Sequence, residues 1–484
     1  MLGKALLVFL IATGTAPAID GVYPDPATEG DRGEFVILQL PESASTANLT
    51  LSDGEDTVDL SGLNETGQVV VAADPGPASA LTDLPIYTVD TFLALSNAGE
   101  RVMLRDGNQT VDIVSYPSST EGELYKDGRF DPLGRTAFEP MTSRSVSVRT
   151  FVLPDQPTPV YEHFERSDER ILLAGYTFSD PALTDTLLRA HRHNVSVSVL
   201  VEGGPVGGVA EPQVEQLDRL RDAGISVTVL GTERARYRYQ HAKYAVVDDR
   251  VLVTSENWKP GSTGGNGSRG WAAEIHDPAV AANLSRIFEA DTGFVDTTGW
   301  DQARPADPVP GQADNDSYPT RFAPINTTAE SVTVLAAPDN AAAGVTDMLR
   351  SASETIRIQQ ISVDPSGKLL NETIRAAERG VDVRILLSGA WYVESENRAL
   401  AKTLRTRADR EDLPIEVRLA EPRSRYDHVH TKGVIVDGES TLVGSLNWNS
   451  NALHENREIA VRIDDETTAA GFERVFLADW RVAA

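Results

Sequence analysis

The chain spells one string twice, His241-x-Lys243-x4-Asp248 and His430-x-Lys432-x4-Asp437, and an Asn-Trp pair follows each copy, Asn257-Trp258 and Asn447-Trp448. Only 8 His and 7 Lys occur among 484 residues, so composition predicts one accidental match in about one chain in a hundred, and a matched pair far more rarely. Each copy also sits in a longer repeat. Glu169 to Pro181 parallels Glu354 to Pro365, and each is followed by a helical stretch and a second apolar strand, Val195 to Leu200 and Val381 to Leu387. Strand, helix, strand is the pattern of a layered α/β unit. Further on, Tyr244 to Asp248 matches Gly433 to Asp437, and Val251 to Trp258 matches Thr441 to Trp448. These β-branched runs flank Asp248-Asp249 and Asp437-Gly438, so each pair predicts a hairpin. Each His-x-Lys opens a strand, with both side chains on one face because strand side chains alternate.

The residue types carry a chemistry. Imidazoles with an ordinary pKa near 6.5 serve as nucleophile or proton donor at neutral pH, and two of them divide these roles if their surroundings push the pKa values apart. Two ammonium groups beside them neutralise the oxygens of a phosphoryl group, so a phosphodiester can be broken without a metal. A lone His-Lys pair on a strand end is as often a solvated surface pair; two copies in matched repeats are not. His428 shares a strand face with His430 and reads as a neighbour in the cleft, whereas His163, His191, His193, His276 and His454 lack such context and read as surface or packing residues. Trp258 and Trp448 fit packing and substrate contact equally. Cys is absent and the histidines are scattered, leaving no metal-ligand spacing.

The two strings resemble the phospholipase D superfamily over about residues 155 to 484. The family's Gly-Ser-x-Asn signature is intact as Gly444-Ser445-Leu446-Asn447, and its following acidic residue corresponds to Glu458 in Asn456-Arg457-Glu458. The first half departs from the pattern: its turn is one residue shorter, Thr254-Ser255-Glu256-Asn257 replaces Gly-Ser-x-Asn, and a Gly-rich insert, Gly261 to Gly270, precedes Glu274. The resemblance implies two α-β-α halves facing each other across a pseudo-twofold axis and no cofactor. It implies His241, Lys243, His430 and Lys432 as catalytic, with Glu274 and Glu458 fixing the imidazole tautomers. Asn257, Ser445 and Asn447 are the expected phosphate donors, and Asp248 and Asp437 the supports of strand and turn. The family leans towards His241 as nucleophile; the residues alone leave the two histidines unordered.

Lys4, the apolar run Ala5 to Ala12 and Ala16-Pro17-Ala18 form a short secretion signal with cleavage expected after Ala18. Nothing later supplies an apolar run long enough to span a bilayer, so a released or surface-associated protein is expected. Nine Asn-x-Ser/Thr sequons, at Asn48, Asn64, Asn108, Asn194, Asn266, Asn283, Asn315, Asn326 and Asn371, favour an exported glycoprotein. With 72 acidic against 44 basic residues the composition resembles that of haloarchaeal proteins, in which carboxylates hold water in concentrated salt. At such salt the screening length falls to about 3 Å, so the net charge of -28 does not exclude a polyanionic substrate, but it removes the basic-patch argument for nucleic acid.

Residues 19–118 change character. Period-two runs at Glu34 to Leu40, Gln68 to Ala72, Arg101 to Arg105 and Thr110 to Tyr116 alternate with Asp-Gly and Pro-Gly turns, as in an all-β sandwich. Gly33 to Leu38, Leu49 to Gly54 and Asn97 to Gly107 are similar to the lamin-tail domain, an immunoglobulin-like module, which implies a binding or spacing role such as attachment to a cell surface or envelope. The expected organisation is therefore multidomain: signal 1–18, β-sandwich 19–118, connector 119–154, first half 155–295, Pro-rich strap 296–329 and second half 330–484. Three functions fit: a secreted, metal-independent phosphodiesterase hydrolysing or exchanging phospholipid headgroups through a phosphohistidine; an extracellular nuclease of the same family; and a non-catalytic surface binder.

Overall fold

The computed structural model describes residues 16–26, 33–231, 235–311 and 316–484. The expected signal falls almost wholly outside them, as does the sequon at Asn315. The chain forms two compact units, one built mainly from residues up to Thr136 and the other from Ala137 onward.

The first unit contains strands β1 (Ala18–Tyr23), β2 (Phe35–Leu40), β3 (Leu49–Ser52), β4 (Thr57–Asp59), β5 (Gly67–Ala72), β6 (Ile86–Thr88), β7 (Glu100–Asp106), β8 (Gln109–Tyr116), β9 (Glu123–Lys126) and β10 (Arg129–Pro132). They form a six-stranded sheet in the order β10-β9-β1-β2-β5-β6 and a four-stranded sheet in the order β4-β3-β7-β8. Alternation sends Val22, Val36 and Leu38 from one sheet and Leu51, Val102 and Leu104 from the other into a single apolar core. β7 and β8 join through Gly107, whose φ of 56° lies in the left-handed region that a tight two-residue turn needs. The module does not stop at residue 118. The hairpin β9–β10 pairs with β1 at Val22↔Tyr125, and Asp127 and Gly128, both at positive φ, make its turn. Part of the expected connector is therefore a hairpin of this unit.

In the second unit the chain order is β11 (Met141–Leu153), β12 (Arg170–Gly175), β13 (Ser196–Glu202), β14 (Ser226–Leu230), β15 (Tyr244–Val247), β16 (Arg250–Thr254), β17 (Gly270–His276) and β18 (Thr297–Gly299). Then follow β19 (Ile325–Ala337), β20 (Thr355–Gln360), β21 (Asp382–Leu387), β22 (Ile415–Leu419), β23 (Gly433–Val436), β24 (Ser440–Gly444) and β25 (Glu458–Asp464). All fifteen make one sheet, β18-β14-β13-β12-β15-β16-β17-β11-β19-β25-β24-β23-β20-β21-β22. Outward from the antiparallel β11–β19 pair, the same sequence of strand types repeats on either side: a long antiparallel strand, a hairpin, then three parallel strands. β11 therefore lies inside what looked like a connector, and the 296–329 strap is shorter than expected, since β18 opens it and β19 closes it.

Local chemistry explains the repeat. Asp180 caps the helix Pro181–Arg192 by accepting from the N–H groups of Ala182 and Leu183, while Pro181 begins it without needing a donor. The matching Asp364 instead accepts from Ser366 N–H in a turn, and the helix starts at Lys368. Between strands the helices bury Leu183, Leu187 and Leu217 in the first half and Leu370, Ile374 and Leu400 in the second. Trp258 and Trp448 belong to these two cores, so both tryptophans are packing residues. Asn283 is 4% exposed within the helix Pro278–Thr292, which closes that sequon to a glycan in the folded chain. Among the described residues no helix is long and apolar enough to cross a membrane.

Candidate active site

Both hairpins are tied down by the aspartate of the repeated string. Asp248, at φ 55°, accepts from the N–H groups of Asp168, Glu169 and Arg170; Asp437, at φ 53°, accepts from those of Ser353, Glu354 and Thr355. An acceptor-only side chain whose short stem tolerates the left-handed region suits this place. It fixes β15 and β23 to the start of the neighbouring strand and leaves the His-x-Lys residues just ahead of each strand.

Each of these segments is then held by the opposite half. His241 N–H donates to Arg457 O at 2.9 Å and Arg457 N–H to Tyr239 O at 2.9 Å; His430 N–H donates to Arg269 O at 2.9 Å and Arg269 N–H to His428 O at 2.8 Å. The two arginines are wholly buried. Arg269 binds Asp155 at 2.6 Å, Asp479 at 3.1 Å and the Leu153 carbonyl at 2.9 Å, and lies 4.8 Å from the Tyr426 ring. Arg457 binds Asp291 at 3.0 Å and the Ala337 carbonyl at 3.0 Å, and lies 4.3 Å from the Tyr237 ring. Buried carboxylates, a carbonyl and a ring face thus meet each guanidinium where water cannot reach it. Sequence reasoning passed over both residues, although Ser268-Arg269 and Asn456-Arg457 stand at matching positions.

The carboxylate partners cross over as well. His241 Nδ1 lies 2.8 and 2.9 Å from the two carboxylate oxygens of Glu458, which comes from the second half. His430 Nδ1 lies 3.4 Å from Glu256 Oε2, which comes from the first. Glu256 went unnoticed because it occupies the variable position of Thr254-Ser255-Glu256-Asn257; an acidic residue where the second half has Leu446 was its only signal. Glu274 holds neither motif histidine. It pairs with buried His163 at 3.1 Å, close to Arg149 and Arg166, on a part of β17 beyond the motif segments. His163 is thus a core histidine, paired through Nδ1.

Lys243 is buried with its Nζ donating to His241 O at 2.5 Å and lying 5.3 Å from the Tyr176 ring. Lys432 Nζ donates to His430 O at 2.8 Å and Ser255 O at 3.1 Å, and lies 3.0 and 3.2 Å from the two ring nitrogens of His430. Burial pushes Lys432 down to about 7 against the pull of Glu256 and Glu458, and pushes Lys243 well below the ordinary lysine value. Burial and the lysine charges outweigh the carboxylates at the imidazoles too, lowering His241 to about 4 and His430 to about 3. Burial would raise Glu256, but His430 and Lys432 hold it down at about 2; His241 and Lys243 likewise keep Glu458 below the usual carboxylate range. At neutral pH the site therefore holds two neutral imidazoles, each beside an ionised carboxylate.

Of the expected neutral donors, Asn257 and Asn447 each keep a buried Oδ1 without a hydrogen-bond partner among the described residues, so neither amide is fully committed to the protein. Ser445 does not stand ready for a phosphate. Its fully buried hydroxyl bonds the carbonyl and the N–H of Ile459, just as Ser255 Oγ accepts from Trp271 N–H, so these serines latch each hairpin to the next strand. At the surface, Tyr176 packs against His241 at 4.8 Å and accepts from Val206 N–H, and an aromatic path runs from His430 through His428 and Tyr392 to Trp391. Val206, Tyr392 and Trp391 are 77%, 47% and 86% exposed.

Comparison with known proteins places this arrangement. A family described as "Cardiolipin synthase, PLD-like domain" matches residues 160–292 and 345–480, more than half of the chain and both halves of the sheet. Cardiolipin synthase A of Escherichia coli O1:K1 / APEC is 36% identical over 114 residues, 23% of this chain and 21% of that protein; the Escherichia fergusonii protein of the same name matches equally. The match thus spans about a fifth of the length of these curated relatives. Among solved structures, phosphatidylserine synthase of Haemophilus influenzae Rd KW20 aligns with a TM-score of 0.54 at 15% identity, covering 69% of this chain and 86% of that one, a likeness of fold. By the family match over both halves, and by the paired His-x-Lys-x4-Asp strings that those halves carry, the chain belongs to the phospholipase D-like family.

Proposed function

We propose that this chain is an exported, metal-independent phosphodiesterase that hydrolyses or exchanges the headgroup phosphodiester of a phospholipid. The observation that carries this is the pair of buried, carboxylate-held imidazoles with a lysine beside each. His241, gripped by both oxygens of Glu458, is the nucleophile: its Nε2 attacks phosphorus, the bond to the leaving oxygen breaks, and a phosphohistidine forms. An entering anion raises the pKa of His430 and of both lysines, because an opposite charge favours their protonated forms. His430 then gives its proton to the leaving oxygen, takes one from the incoming water or alcohol, and the phosphorus–nitrogen bond breaks to free His241. Lys243 and Lys432 neutralise the non-bridging oxygens, with Asn257 and Asn447 as neutral partners.

A lipid substrate is favoured by exposed Val206, which bonds Tyr176 next to His241, and by exposed Tyr392 and Trp391 at the end of the aromatic path from His430, since Trp and Tyr suit a boundary between water and hydrocarbon. The net charge of -28 offers no basic track for a polynucleotide. The N-terminal module is read as a lamin-tail-like, immunoglobulin-like binding or spacing domain, the acidic surface as an adaptation to concentrated salt, and residues 1–18 as a secretion signal. The experiment is to purify the protein in high salt and measure product release from labelled phospholipid vesicles and from plasmid DNA, with and without chelator. Lipid turnover that survives chelator is expected. DNA cleavage without lipid turnover would replace the lipid by a nucleic-acid substrate, and loss of activity in chelator would overturn the metal-free mechanism.

A further inference from the structure

The strand register shows where each half should carry its imidazole-holding carboxylate. Ser445 N–H donates to Ile459 O and Ser255 N–H donates to Trp271 O, so Ile459 and Trp271 are equivalent and Glu458 has Gly270 as its counterpart. β11 and β19 agree: Leu153 faces Gly270 as Ala337 faces Glu458. A carboxylate is therefore missing from the first half at the position where the second has one, and it is present at the position where the second half has Leu446. A Cβ built on Gly270 would lie 2.2 Å from Glu256 Oε1 and 2.3 Å from its Cγ, so the Glu256 side chain fills the space that a residue 270 side chain would use. Gly270 is not among the residues at positive φ, so the glycine serves room, not backbone conformation. Even the supporting donor is kept: Ser268 Oγ donates to Glu256 Oε2 at 2.7 Å, and Asn456, its register equivalent, donates through Nδ2 to Glu458 Oε1 at 3.1 Å.

We infer that Glu256 is a transposed positioning residue: the first half has moved its imidazole-holding carboxylate from strand position 270 to hairpin position 256, and Gly270 is the other half of that exchange. The transposition concentrates contacts. Residues 255 and 256 now present a carbonyl to Lys432 and a carboxylate to His430, so two neighbouring residues of the first half meet both reactive side chains of the second string. The grip is also looser than its counterpart, 3.4 Å through one oxygen against 2.8 and 2.9 Å through two, which suits an imidazole that must pass a proton in both directions.

The inference rests on the paired-histidine reading for its kinetic test but has a second readout that needs no turnover. Glu256→Gln and Glu256→Leu are each expected to lower kcat by roughly 10²- to 10⁴-fold with little change in KM, as when a histidine loses the group that orients it. Gly270→Glu alone places two carboxylates in one space and is expected to lose activity or folding. The double variant Glu256→Leu/Gly270→Glu restores a carboxylate at the Glu458-like position and is expected to recover at least about tenfold over Glu256→Leu. The ring ¹⁵N shifts of His430 should show a proton on Nδ1 in the parent, a changed tautomer in Glu256→Leu and a return towards the parent in the double variant. A folded double variant that recovers neither activity nor tautomer, or Glu256→Gln retaining a tenth of parent activity, would overturn the transposition. A parent without phosphodiesterase activity would sink the functional proposal alone, and the ¹⁵N shifts would still decide this one.

Discussion

The two histidines of the site are built from the same parts and held differently. His241 meets a carboxylate through both of its oxygens, packs against Tyr176 and leaves Lys243 turned towards a backbone carbonyl. His430 meets its carboxylate more distantly, has Lys432 against both ring nitrogens, and opens through His428 towards exposed aromatics. A repeat copies the scaffold; the differences between copies divide the labour. A nucleophile gains from being fixed and kept neutral, whereas a proton shuttle gains from freedom to change charge.

The most severe way to break the comparison is to remove either ring. His241→Ala and His430→Ala should each abolish turnover, by roughly 10⁴-fold or more, because neither half-reaction completes the cycle alone. A variant retaining a tenth of normal activity would refute the paired site. Next in size are the crossed arginines: Arg269→Ala and Arg457→Ala each take a buried guanidinium from between buried carboxylates, which should cost roughly 3–5 kcal/mol of stability, read from chemical denaturation. If the crossed anchoring is right, Arg457→Ala should also disturb the ring signals of His241, and Arg269→Ala those of His430, each in the opposite half.

A gentler probe is pH. In the free protein the nucleophile His241 must be neutral and Lys432 charged, so kcat/KM should fall below about pH 4 and again above about pH 7. For stability the sign follows from proton binding. The folded histidines titrate below the unfolded ones, so the unfolded chain binds more protons as pH falls below 6.5, and this contribution is lost on acidification between 6.5 and about 4. A profile with no alkaline limb near 7 would remove Lys432 from that role. Smallest of all is the change at Glu274: because it serves His163 and neither motif histidine, Glu274→Gln should change turnover by less than about threefold and leave the pH limbs in place, while lowering the melting temperature slightly. Movement of either limb would return Glu274 to the site.

Much of this was legible from residue order. The hairpins at Asp248 and Asp437, the helices after Asp180 and Asp364, and the two-sheet N-terminal module follow from alternation, turn residues and caps, all local signals. What sequence missed was long-range. Glu274 looked like the first half's acid because it follows the motif as Glu458 does, but strand register places Gly270 at that position, and register depends on pairing with a strand from elsewhere. Ser445 looked like a phosphate donor because nothing local shows that its hydroxyl is spent on Ile459. Arg269 and Arg457 gave no sign of burial, since an arginine is buried only where distant carboxylates meet it. The hairpin β9–β10 was missed for the opposite reason: its strands are short and its turn conspicuous.

The crossed carboxylates also set an order in time. His241 emerges from the ribosome well before Glu458, and until β25 is laid beside β19 and β24 its ring has no acceptor and its backbone no partner in Arg457. A chain still being made, or one clipped ahead of its last strand, carries both imidazoles and lacks a finished site.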